Sequence, residues 1–224
     1  MTDQPDTEAN NEPLFTPVEA RILGVLMEKQ RTTPDNYPLT LNALVQACNQ
    51  KTSRNPVMQL TQGEVGHTVN LLRDRELIRS SFSGRAERYE QKLGRHLELG
   101  REEQAVLCVL LLRGPQTLGE LRTHGSRLAD FTGLEEVRDV LELLMAQNPS
   151  LVATLPKGPG RREDRYVQLL SDEPKEELSM AAATETTGEA DRLAALEEEV
   201  RQLRAEIDTL WRLTGLQRPS SEEK

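Results

Sequence analysis

Aromatic residues are scarce in this 224-residue chain: three Phe, three Tyr and one Trp make up 3% of it, and hydrophobic residues of every kind reach only 36%. Any interior must therefore be built from Leu, Val and Ile, and the composition suggests two small cores over one large one. No apolar run approaches the ~18 residues a membrane span needs. Residues 1–14 are polar and acidic, unlike a secretory signal. The two cysteines, Cys48 and Cys108, sit within apolar helical patterns. That excludes a disulfide framework and points to a soluble, cytoplasmic protein. The sequence has no glycine-rich phosphate loop, nucleophile elbow or Cys-x-x-Cys pair, and its histidines, His67, His96 and His124, lack ligand spacing. No catalytic residue, metal or cofactor is expected, and the chain reads as non-enzymatic. Gly158-Pro159-Gly160 is a turn and not a phosphate cradle, because no helix start follows it.

The formal net charge of −9 is unevenly spread. Residues 1–14 hold four acids and no base, and residues 171–224 hold fourteen acids against seven bases. Between them, residues 15–92 hold eleven bases against eight acids, and residues 93–170 hold ten against eleven. Acid thus gathers at the two ends, and the middle is near neutral. This argues against strong sequence-blind binding of nucleic acid, which depends on neutralising phosphates, and leaves room for a focused contact.

That middle section contains a repeat. In residues 17–93, Val18 to Leu23 opens an amphipathic helix, Thr40 caps a short helix and Thr61 with Glu64 forms a capping box for a longer one. Two strand-like segments follow, Leu77 to Phe82 and Ala86 to Leu93, joined by a turn. In residues 101–170, Glu103 to Leu107, Thr117, Glu136 to Leu144 and the segments 151–155 and 165–170 take the same places in the same order. Helix, helix, helix, hairpin is the order of a winged helix, and a tandem pair is expected. The fold class predicted is mainly α (α+β): an acidic leader at 1–14, winged-helix domains at 15–93 and 94–170, an acidic linker at 171–190, a coiled-coil helix at 191–214 and a tail at 215–224. In that last helix Leu193, Val200 and Ile207 fall at a positions and Leu196, Leu203 and Leu210 at d, a pattern that favours a parallel homodimer. The alternative is a helix folded back on its own chain.

A winged helix of this kind would place Asn49, Gln50, Lys51, Ser53, Arg54 and Asn55 at the mouth of its third helix. Lys and Arg there reach phosphates or guanine edges well. His67, Asn70 and Arg73 lie on that helix's polar face, with Arg79, Arg85 and Arg88 on the first hairpin and Lys157, Arg161, Arg162 and Arg165 on the second. The functional expectation is a DNA-binding, transcription-regulatory protein. The alternative is a protein-interaction module that uses the same surfaces without touching DNA. The second long helix, with Glu135, Glu136, Asp139 and Glu142, would repel phosphate.

Several strings carry a family resemblance. They are Leu14 to Gln30 (LFTPVEARILGVLMEKQ), Thr32 to Leu44 (TTPDNYPLTLNAL), Ala47 to Met58 (ACNQKTSRNPVM), Leu111 to Thr117 (LLRGPQT) and Pro159 to Glu163 (PGRRE). Together they resemble the YceH family of bacterial proteins over residues 14–170. The resemblance implies the tandem winged-helix fold and assigns no activity. At position 55, where that family usually carries an acidic residue, this chain has Asn55.

Overall fold

The computed structural model describes residues 14–83, 86–157 and 163–171, together with residues 200, 201 and 204. Of the leader, linker and tail expected at 1–14, 171–190 and 215–224, all but Leu14 and Ser171 lie outside the described residues. Within the described part the fold is α+β.

Each half begins with a capped helix, for reasons visible in the sequence. Helix α1 (Pro17–Thr32) starts on a reciprocal box: the Glu19 amide donates to Thr16 Oγ1 at 3.3 Å and the Thr16 amide donates to Glu19 Oε2 at 2.8 Å. Thr40 caps α2 (Leu41–Cys48), and Thr61 with Glu64 boxes α3 (Gln62–Asp74). Strand β1 (Leu39–Thr40), which the sequence did not suggest, pairs with β3 (Ala86–Gln91), and β3 pairs with β2 (Ile78–Ser83), in the order β1-β3-β2. A one-turn helix, α4 (Leu93–His96), replaces the expected end of the returning strand. The second half runs α5 (Arg101–Arg113), α6 (Leu118–Gly125), α7 (Leu134–Ala146), β4 (Val152–Leu155) and β5 (Arg165–Gln168), with β4 and β5 antiparallel.

The internal duplication extends to single hydrogen bonds. In the first half Leu39 bridges Tyr89, and Arg88 Nη1 donates to the Pro38 carbonyl at 2.9 Å. In the second half Gln116 bridges Tyr166, and Arg165 Nη1 donates to the Pro115 carbonyl at 2.8 Å. Each Pro-x-Thr segment, Pro38-Leu39-Thr40 and Pro115-Gln116-Thr117, both pairs with its hairpin and caps the following short helix. The cap needs extended backbone at the Thr, and extended backbone is what a strand edge can pair with.

The expectation of two small cores is not met. Buried side chains from both halves form one cluster. Its centre is the crossing of α1 and α5. Helix α5 buries every residue from Ala105 to Leu112, and α1 buries everything from Glu19 to Met27. Such helices have no solvated face along those stretches and need cover on all sides. At the crossing the backbones approach closely: a Cβ on Gly24 would stand 3.0 Å from Leu112 Cδ2, and Cys108 Sγ donates to the Gly24 carbonyl at 3.3 Å. The chain ahead of α1 is tied to the far end of the second half, the Phe15 amide donating to the Leu170 carbonyl at 2.8 Å. Both thiols are buried, and burial pushes Cys48 up to about 12 and Cys108 well above the usual thiol range.

Candidate interaction face

The segment following α2 was expected to meet a ligand. Most of it instead binds the rest of the chain. Arg54 is the clearest correction. Its side chain is fully buried, with Nη1 donating to Glu28 Oε1 at 3.1 Å and Nη2 to Glu28 Oε2 at 2.7 Å. Its remaining N–H groups donate to the carbonyls of Ala47 and Ser53 and to Gln50 Oε1. A guanidinium held at both ends by one carboxylate, with backbone oxygens around it, has nothing left to offer a phosphate. Burial pushes the Glu28 carboxyl up, but the bonds and charge of Arg54 outweigh it and hold the group below the usual carboxylate range.

The neighbours of Arg54 are engaged in the same way. Asn49 exchanges two hydrogen bonds with the backbone of Leu60, at 2.8 and 2.7 Å. Gln50 also accepts from Lys29, and Ser53 Oγ accepts from Arg113 Nη2 at 2.7 Å. The Asn55 amide donates to the Leu112 carbonyl at 2.8 Å, and its Nδ2 donates to the Arg113 carbonyl at 3.4 Å. Residues 49–55 therefore strap the end of α2 to the end of α5. Lys51 is exposed.

On α3 the expected polar face is present: His67, Asn70 and Arg73 are exposed, and Val65, Val69 and Leu72 are buried. Arg73 pairs with Glu87 of β3 at 3.6 Å. On the hairpin, Arg79 pairs with Glu90 at 3.8 Å, and Arg88 is the brace to Pro38 already described. Arg165 is its counterpart and also lies 3.7 Å from Glu120. Lys157 is exposed, and its amide donates to Asp164 Oδ1. Arg85, Arg161 and Arg162 lie outside the described residues. Of the expected dimer seam, Val200 is helical and exposed, and Leu193, Leu196, Leu203, Ile207 and Leu210 lie outside the described residues.

Two features of this face escaped the sequence reading. One is Glu28, whose partner lies 26 residues away, beyond any local spacing rule. The other is Phe82, which is 81% exposed near the tip of β2. It stands opposite Glu87 in the hairpin register, so the two side chains share one face of the ribbon, and Glu87 ties that face to Arg73 of α3. On the second half, α7 exposes Glu135, Asp139 and Glu142 along with Leu134 and Leu143. Among the described residues no group of three or more His, Cys, Asp or Glu is placed to hold a metal. No helix there is long and apolar enough to cross a membrane.

Residues 15–161 match the family model described as "Protein of unknown function, DUF480". The chain belongs to this family. Its relatives agree. It is 46% identical to the UPF0502 protein mll4256 of Mesorhizobium japonicum, over 88% of this chain and 97% of that one. It is 44% identical to a UPF0502 protein of Cellvibrio japonicus, over 89% and 95%. It is 50% identical to the UPF0502 protein PSPA7_1674 of Pseudomonas paraeruginosa, over 81% of each. The strings that resemble the YceH family fall almost wholly within the matched span, and this DUF480 match bears out that assignment.

Proposed function

We propose that this DUF480 protein is a non-catalytic binding protein made of two fused winged-helix units, and that α3 with the first hairpin is its docking face for a protein partner. One observation carries the reading: each described arginine that was expected to meet phosphate is held by an acceptor of its own chain. Arg54 is buried against Glu28, Arg73 and Arg79 face Glu87 and Glu90, and Arg88 and Arg165 brace proline carbonyls. What remains outward beside α3 is a rare aromatic, Phe82, rimmed by paired charges. Exposed aromatics within a polar rim are the usual anchors of protein interfaces. The heptad positions from Leu193 to Leu210 fit a homodimer seam that would present two such faces together, raising the effective concentration of the second contact.

Duplex DNA is the second reading, favoured by the exposed Lys51, His67 and Asn70 near one helix. The Arg73 and Arg79 pairs are partly exposed, and such pairs contribute only about 0–1 kcal/mol, so phosphates could displace their carboxylates. A photo-crosslinking residue at position 82, introduced in living cells, separates the two. The expected product is a protein adduct that survives nuclease and disappears when the crosslinker is moved to Leu143. Adducts of nucleic acid alone, together with binding of purified protein to duplex DNA that weakens steeply with salt, would replace the first reading with the second.

A further inference from the structure

A cavity of about 130 Å³ opens where the two halves meet, lined by Glu28, Ser53, Arg113, His124 and Arg127 among others. It is well under the ~300 Å³ of a site for a drug-sized molecule, and it suits a small charged group. Its electrostatics are lopsided. The Glu28 carboxylate is already clasped by Arg54 and further approached by Lys29 at 3.2 Å. Among the described residues no carboxylate lies within 4.0 Å of the Arg113 or Arg127 guanidinium. Arg113 is positioned by its bond to Ser53 Oγ, and Arg127 is exposed. The lining therefore carries two cations and one carboxylate, Glu28, which acts on Arg113 only from beyond ion-pair distance and is itself clasped by Arg54.

The histidine adds a third donor under the right condition. Gln116 Nε2 donates to the carbonyls of Pro115 and Arg113, which fixes the amide so that its Oε1 faces His124 Nδ1 at 2.8 Å. Oε1 can only accept, so Nδ1 carries the proton and Nε2 gains one only when the ring becomes cationic. Burial and the charge of Arg113 hold His124 below the ordinary histidine range. The ring is neutral at pH 7, and an arriving anion would favour its charged form.

We propose that this cavity between α1, α5 and α6 is a binding site for a tetrahedral oxyanion, the phosphoryl group of a small molecule, held by Arg113 and Arg127 with the Ser53 hydroxyl beside them. Planar forked guanidiniums match such oxygens two at a time. The site draws on both halves: Ser53 and Glu28 come from the first, Arg113, His124 and Arg127 from the second. A ligand there would tie them together away from the α3 face.

The full-length protein can be tested by NMR titration of its three histidines in inorganic sulfate, a tetrahedral dianion whose charge stays constant across the titration, against chloride at matched ionic strength. The His124 pKa should rise by about one unit with sulfate, with His67 and His96 unmoved as internal controls. Arg127→Gln, a change at an exposed side chain, should abolish the rise and leave the folded spectrum intact. A His124 shift no larger than that of His67, or one that persists in Arg127→Gln, would overturn the assignment.

Discussion

Replacing Arg54 with methionine should lower the stability of this protein by about 3–5 kcal/mol, the usual cost of leaving one member of a buried ion pair without its partner. At ~2–4 °C per kcal/mol for a unit of this size, thermal melting should fall by roughly 6–20 °C. The size follows from burial: the Arg54 side chain is fully buried and that of Glu28 is only 16% exposed, so water cannot take over the lost bonds. A second change, Glu28→Gln in the same chain, should recover part of the loss by removing the stranded charge. The pH dependence has a definite sign. In the wild type Glu28 titrates below its unfolded value, so its contribution is complete above about pH 4.3 and is lost as pH falls through the folded value. In Arg54→Met burial dominates and pushes Glu28 up, so the deficit relative to wild type should shrink on acidification. Chemical denaturation of both proteins at pH 7 and pH 4 checks this. A melting change of a degree or two, as for an exposed arginine, would contradict the buried strap.

The second large effect concerns the α1–α5 crossing. Gly24→Leu should destabilise the two halves together, because the new side chain starts 3.0 Å from Leu112 Cδ2 and 3.2 Å from Leu111 Cβ. Overpacking of this kind costs about 1–3 kcal/mol and often more when two backbones must separate. With a single buried cluster, unfolding should remain one transition, and amide exchange should accelerate in α3 and α7 alike. A fragment ending at residue 99 should show no cooperative melt, since it would expose the α1 face around Ala20, Gly24 and Met27 that lies against α5. A fragment that melts cooperatively at the full-length temperature would restore two independent domains.

Much of the architecture was legible because it is local. Thr16, Thr40, Thr61 and Thr117 each announce a helix within three or four residues, and each is a cap in the structure. The inward residues of α7, Val137, Val140, Leu141 and Leu144, follow from spacing alone. The merged core has a sequence signal too, the unbroken apolar run from Ala105 to Leu112. A helix with eight consecutive buried residues, as α5 has, cannot belong to the edge of a small three-helix unit. The misplaced site has a different cause. Arg54 and Asn55 look like ligand contacts because they are polar and sit before a capped helix. Their partners, Glu28 and the ends of α5, are 26 and 58 residues distant, and no spacing rule reaches that far. Arg88 and Arg165 could have been found: the repeat aligns each with a proline 50 residues earlier, and a paired Arg and Pro in both copies suggests a structural contact.

The inert interior thiols have a practical corollary. Burial pushes both thiols well above the usual thiol range, so thiolate is scarce at pH 7 even before steric shielding is counted. Maleimide chemistry should therefore ignore the native chain. A single cysteine installed at position 82 or 143 would take a fluorophore at that point alone, and the wild-type background needs no stripping of its own sulfur first.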